Sequence, residues 1–276
     1  IYYINLIQIF KIMLKGVLRK MKVELSDKVN YYLDFKNDFL HMNSFLAKKI
    51  KVKHVGYECL NCQSSEIIYR QGFCKSCFFE MPSTAEWIMK PELSKAHLGI
   101  EERDLEYEKQ VQLKPHILYL AFSSSLKVGV TRKTQVPFRW IDQGAVKAIQ
   151  IVELPNRYLA GISEVELKKH YADKTNWREM LKIGSSNVDL QEERLKCLNL
   201  VPNEIVPHIN NNEFSTLKIN YPVISNPLKP KSLNIVKEEK FEGELVGIKG
   251  QYLIFKEDTV FNIRSNEGLV LDLNIT

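Results

Sequence analysis

No apolar run in these 276 residues reaches the roughly 18 that a membrane-spanning helix needs, so no membrane partner is expected. Charge of one sign is in short supply as well. Thirty-nine Lys+Arg stand against 33 Asp+Glu, and the excess of +6 permits a polyanionic partner without demanding one. The five cysteines are too few for a disulfide framework, and four of them fall in two close pairs. That pattern suits a metal site in a reducing compartment, and the expected location is cytoplasmic. Internal repeats and low-complexity tracts are both missing. What is present, 45% hydrophobic and 26% charged residues, excludes wholesale disorder and fits one large domain or two or three small ones.

Residues 1–12, Ile1-Tyr-Tyr-Ile-Asn-Leu-Ile-Gln-Ile-Phe-Lys11-Ile, are apolar. No basic region precedes them and no small-residue cleavage site follows, so they make a poor signal peptide. Without a charged face they also make a poor membrane-surface anchor. The expectation is an over-extended start, with the fold beginning near Met13.

The rest divides by periodicity and composition. Residues 13–57 read as an N-terminal β region, most clearly at Lys49-Ile-Lys-Val-Lys-His-Val55, which alternates strictly. Residues 58–82 carry the paired cysteines. Residues 83–115 are expected to be a linker or solvated helix, because Glu101 to Lys109 is densely charged. Residues 116–200 form a mixed α/β unit, and 201–236, rich in proline, an extended connector. Residues 237–276 return to strand, punctuated by Gly250 and by Glu257-Asp258. Each terminal β region has three or four short strands, which alone would be marginal. Pairing them into one small barrel would close the edges. The expected fold class is therefore α+β.

Cys59-Leu-Asn-Cys62 and Cys74-Lys-Ser-Cys77 lie eleven residues apart. Each two-residue spacing lets a pair of thiolates turn onto one cation, and two pairs complete a tetrahedral structural Zn2+ site. Gly72 before the second pair suits a tight zinc-ribbon hairpin. Arg70, Lys75, Phe73 and Phe78 could touch nucleic acid, but aromatics beside such pairs more often pack. Cys197 reads as an inert buried thiol, and His54 and His97 as non-ligands.

In the central unit His116-Ile-Leu-Tyr-Leu-Ala-Phe122 reads as a strand, paired through Ser123-Ser-Ser125 with Leu126-Lys-Val-Gly-Val130. A helix carrying Arg139 follows, stopped by Gly144. Val146 to Leu154 makes a third strand and 157–171 a second helix. On that helix Glu164 shares a stripe with Ala160, Leu167 and Tyr171. A carboxylate on an apolar stripe needs a partner, either a metal ion or an arginine, with Arg139 the obvious candidate.

This β-β-α-β-α order, with Tyr119, Gly129, Arg139 and Glu164 at their places, resembles the GIY-YIG nuclease domain over roughly 65 residues. Ile117-Leu-Tyr119 stands where that family has its first tripeptide and Lys127-Val-Gly129 where it has the second. The first has lost its Gly, and Lys127 replaces the second Tyr. The resemblance implies that Tyr119 orients or deprotonates water, Arg139 steadies the scissile phosphate and Glu164 holds Mg2+ or Mn2+. Lys127 would serve as a charge stabiliser. The implied activity is metal-dependent cleavage of nucleic acid. The competing reading is a non-catalytic zinc-containing module that grips phosphates through Arg132, Lys133, Lys168, Lys169, Lys174 and Arg178, with Trp177 adding stacking. A third is a protein-interaction scaffold. Neither DNA versus RNA nor an oligomeric state is implied.

The whole chain also resembles a family of uncharacterised bacterial proteins, a domain of unknown function. The shared stretches are Lys127-Val-Gly-Val-Thr-Arg, Arg139-Trp-Ile-Asp-Gln-Gly-Ala145, Ala172-Asp-Lys-Thr-Asn-Trp-Arg178 and Gly250-Gln-Tyr-Leu-Ile-Phe255. Relatives often carry further cysteines around a Met-Lys-Pro segment; this chain keeps Met89-Lys-Pro91 without them.

Overall fold

The computed structural model describes residues 12–35, 38–172, 174–210 and 214–276. The expected over-extended start lies outside them except for Ile12, as do Asp173 and the connector's Asn211 and Asn212. In chain order the strands are β1 (Ile12–Val17), β2 (Lys22–Glu24), β3 (Asn30–Phe35), β4 (Asp38–His41), β5 (Lys49–Tyr57), β6 (His116–Phe122) and β7 (Leu126–Arg132). They continue as β8 (Lys147–Leu154), β9 (Leu217–Lys218), β10 (Lys231–Ser232), β11 (Lys240–Lys249), β12 (Tyr252–Phe255), β13 (Thr259–Asn262) and β14 (Leu269–Ile275). The helices are α1 (Lys75–Glu80), α2 (Glu86–Met89), α3 (Leu105–Gln112), α4 (Phe138–Asp142), α5 (Arg157–Leu167), α6 (Trp177–Lys182), α7 (Leu190–Leu198) and α8 (Ile235–Glu238).

The two β-rich ends share one seven-stranded sheet, in the order β1-β14-β5-β11-β12-β13-β10. β14 lies antiparallel between β1 and β5, with Leu273 opposite both Leu14 and Val52. Its inward residues are Leu269, Leu271, Leu273 and Ile275, the alternation of a strand with one buried face. The expected barrel needs correcting. Among the described residues the sheet is open, with β1 and β10 at its edges. β11 hands its first half to β5 and its second half to β12, across a register shift between Leu245 and Gly247. A bulge of this kind bends a sheet. The apolar face that closure would have covered is buried instead by other elements. Tyr31, Leu33 and Phe35 of the β2-β3-β4 sheet join Ile117, Tyr119 and Trp140 of the central unit in that same core.

A four-stranded sheet, β7-β6-β8-β9, organises the central unit. β6 pairs antiparallel with both β7 and β8. Ile117, Tyr119 and Ala121 face the large core, whereas Leu118 and Leu120 face a second core built with Ala160 and Leu167 of α5 and Leu190 and Cys197 of α7. Burial on both sides explains why this strand reads as a continuous apolar run. Asn156 caps α5 by accepting the Leu159 N–H at 2.9 Å.

Residues 92–114 are less solvated than their charge suggests. Glu108 of α3 is 1% exposed, and its carboxylate accepts N–H groups from Glu102, Arg103 and Asp104. Those donors lie at and before the helix start, where the backbone has no partner of its own. The preceding turn, Pro91–Leu93, crosses α5 at Gly161. A Cβ there would lie 2.2 Å from the backbone N of Glu92, so the close crossing requires glycine.

Candidate functional site

The four cysteines come from two short structures. Cys59 and Cys62 follow β5, Cys74 occupies the N-cap of α1, and Cys77 sits in its first turn. Gly72 lets the hairpin between them turn: its φ is +81°, and a Cβ would run into the Leu60 side chain. All four Sγ atoms lie within 4.8 Å of one another, and Cys62 and Cys74 stand 3.8 Å apart. Tetrahedral coordination with metal–sulfur bonds of about 2.3 Å separates neighbouring sulfurs by about 3.8 Å, so the donor set fits a soft divalent cation such as zinc. The Cys74 N–H donates to Cys59 Sγ, and Asn61 Nδ2 to Cys77 Sγ, each at 3.3 Å. Burial raises the Cys59 thiol, but N–H groups of Cys74, Cys62 and Asn61 outweigh it and bring the pKa down to about 6. Asn61 lowers Cys77 in the same way, yet burial and the other three sulfurs carry that thiol up to about 12. Cys197 stands apart in the second core, and its burial pushes the thiol up to about 11. His54 packs edge-on against Tyr57, and His97 stacks on Tyr158.

Tyr119 lies mid-strand in β6 and is 1% exposed. Gly129 pairs with it across β7, and a Cβ there would sit 2.5 Å from the phenol oxygen. The Tyr119 hydroxyl donates to Gln143 Oε1 at 3.1 Å, just beyond α4. Burial raises its pKa; Arg139 opposes the rise and Glu164 adds to it, so both groups act on the phenol. The elements that carry these three expected residues, β6, α4 and α5, pack on one sheet: the Tyr119 ring lies 5.8 Å from that of Trp140 of α4, and α5 covers the opposite side of β6.

Glu164 is buried, and its carboxyl is raised chiefly by that burial, against the pull of Lys168 and Arg157. Its ion-pair partner is Lys168, at 3.3 Å, where Arg139 was expected. One helical turn along α5 is a shorter reach than the gap to another element. Lys127 is on the same face of β7 as Gly129, and its ammonium donates to Thr175 Oγ1 at 2.7 Å. Of the expected phosphate-binding cations, Arg132 lies beside this cluster, acting on Arg157 and His116. Lys133 pairs with Glu153 and Lys169 with Glu166, while Lys174 and Arg178 are exposed. Trp177 stacks on Tyr252 at 5.7 Å, tying α6 to the C-terminal strands.

Sequence reasoning missed three members of this neighbourhood. Arg157, at the start of α5, donates to the carbonyls of Trp87 (3.1 Å) and Ile88 (2.7 Å), and burial brings its pKa down to about 10. A cation at a helix N-terminus opposes the dipole, a signal that could have marked it. His116 faces Arg157 at 3.5 Å. Glu92, on the crossing turn, acts on both Glu164 and Arg157, and its Oε2 is buried without a hydrogen-bond partner. Nothing local distinguishes Glu92 from the charged residues around it.

The fold and sites define a mixed α+β protein with a four-cysteine metal-type cluster and a central β-β-α-β-α unit. The chain belongs to the family described as Protein of unknown function (DUF2797), whose model matches residues 47–271, from β5 into β14. No curated protein and no solved structure matches it. Among the described residues no helix is long and apolar enough to cross a membrane.

Proposed function

We propose that the protein processes nucleic acid, with its central unit acting as a metal-dependent phosphodiesterase of GIY-YIG type and the cysteine cluster as a structural zinc ribbon. The observation that carries this reading is the β-β-α-β-α unit itself, in which Tyr119 of β6 packs against Trp140 and bonds Gln143 beside Arg139's helix, while α5, which carries Glu164, covers the same sheet. Tyr119 orients the attacking water, Arg139 steadies the scissile phosphate and Lys127 adds positive charge. Glu164 would hold Mg2+ or Mn2+, which supplies Lewis-acid polarisation of the phosphate. Glu92, whose turn crosses α5 one helical turn before Glu164, has a buried, unpartnered Oε2 that suits a cation there.

The second reading, a non-catalytic binding module, is favoured by two engaged side chains. Lys168 already neutralises Glu164, and Lys127, in place of the family's second Tyr, is bound to Thr175. One experiment separates the readings. Wild type with Mn2+ or Mg2+ is expected to nick plasmid or cleave structured RNA. Glu164→Ala should lose cleavage by about a hundredfold or more while keeping affinity within about twofold, because phosphate contact is spread over many cations. Binding without cleavage, with Glu164→Ala only lowering the melting temperature, would select the binding module. No salt-dependent binding at all would leave the interaction scaffold.

A further inference from the structure

The cysteine hairpin packs against the end of the C-terminal sheet: Glu58 N–H donates to the Gly268 carbonyl at 2.9 Å, and Ile68 lies against Gly268. Between hairpin and sheet is a cleft of about 480 Å³, lined by Tyr69, Arg70 and Gln71 on one side and Asn262, Arg264 and Glu267 on the other. Its chemistry is unusual for a surface seam. Tyr69 is 44% exposed and Phe79 55%, with their rings 5.6 Å apart and both braced against Phe78. The guanidinium of Arg70 lies over the Tyr69 ring at 5.5 Å. Arg70 and Arg264 are both exposed, and Arg264 acts through its charge on Glu267 of the same lining. Glu267 is anchored through its carboxylate, which accepts the Lys20 N–H at 2.9 Å. Phe73, by contrast, packs against the cysteines.

We propose that this cleft binds single-stranded nucleic acid, with a base stacked on Tyr69, Phe79 extending the platform, and neighbouring phosphates paired with Arg70 and Arg264. An exposed ring beside two exposed guanidiniums matches the two parts of a nucleotide, a π-face and an anion. A duplex keeps its bases stacked on one another and offers the ring nothing. The polar lining disfavours an apolar peptide anchor, and the volume accommodates one nucleotide-sized group. The inference rests on the reading that the protein handles nucleic acid, and it assigns that binding to residues away from Tyr119 and Glu164.

The test is fluorescence anisotropy with labelled oligo(dT) and oligo(U) across a salt series, using the full chain with its metal. Tyr69→Ala combined with Phe79→Ala is expected to weaken binding roughly tenfold or more, as loss of a stacking platform does. Tyr69→Phe should bind as wild type. Arg70→Ala and Arg264→Ala should each shallow the slope of log affinity against log salt by about 0.7. Arg264 lies outside the hairpin, so its variant serves if the aromatic variant misfolds; melting temperature and metal content provide the check. If wild type binds and all these variants bind equally well, the cleft is not the site while the proposed function stands. If wild type binds neither oligonucleotide, this proposal fails, while cleavage of plasmid or structured RNA still decides the proposed function. Saturable binding of polyglutamate, lost in the same variants, would reassign the cleft to an acidic protein partner and overturn the proposal.

Discussion

His116 begins β6 with its ring fully buried; Nδ1 meets the Lys114 carbonyl at 2.7 Å and Nε2 faces Arg157. A carbonyl only accepts, so Nδ1 carries the hydrogen and Nε2 the lone pair. Burial, reinforced by Arg157 and Arg132, brings the pKa down to about 4. An unfolded histidine titrates near 6.5, so between about 6.5 and 4 the unfolded chain binds more protons than the folded one. The stability this residue contributes is therefore present above pH 6.5 and lost as pH falls towards 4. The full loss is on the order of 3 kcal/mol. Thermal melts at pH 7 and pH 4.5 should show that fall in wild type and a shallower one in His116→Gln. Equal slopes would mean that the imidazole is solvated. At this scale burial on each face is legible in the sequence, and partners are not. The resemblance to the GIY-YIG domain points to Tyr119, Arg139 and Glu164, but the Lys168 partner of Glu164 leaves no mark in sequence, since stripe periodicity says which residues share a face and not which cation lies nearest.

The cysteine hairpin is the element least able to hold itself together. Its buried cluster is three cysteines with Ile68, Phe73 and Met81 packed against them, too little apolar surface for an independent core. If the proposed zinc is bound, purified protein should carry about one equivalent per chain, because coordination then supplies the folding free energy the core lacks. Cys59→Ser with Cys77→Ser should lose the metal and open residues 58–80 to protease. A metal-free wild type of unchanged protease resistance would refute the structural role. The cysteine spacing was legible because two ligands in one turn is a local fact. The same holds for the β6–β7 hairpin and for Glu257 and Asp258, both at positive φ between β12 and β13.

Across the whole molecule, the C-terminal strands hold distant parts in place. Gln251 exchanges hydrogen bonds with the backbone of Met21 and donates to Asp142 of α4 at 2.9 Å. Lys249, 2% exposed, donates to the carbonyls of Met180 and Ile183 at the end of α6. Deleting residues 241–276 removes β14 from between β1 and β5 and uncovers the core side of β3 and β6. The loss should exceed the roughly 5–15 kcal/mol by which a domain is stable. A 13–235 fragment is expected to aggregate or give a collapsed amide spectrum; a well-dispersed one would show that the shared sheet is dispensable.

The residue pattern by itself missed the two-residue strands β9 and β10 within the proline-rich stretch, but it determined the longer strands, where the paired cysteines turn and which residues share a face. These follow from backbone sterics and periodicities of two and 3.6, which act over a few residues. Only the tertiary structure decided that the end strands form an open sheet, that the turn bearing Glu92 crosses α5 at Gly161, and that Arg157 is held by carbonyls about 70 residues earlier. Each of these depends on which apolar faces from remote segments are buried together. That choice is made by the free energy of the whole core and leaves no mark within a short stretch of chain.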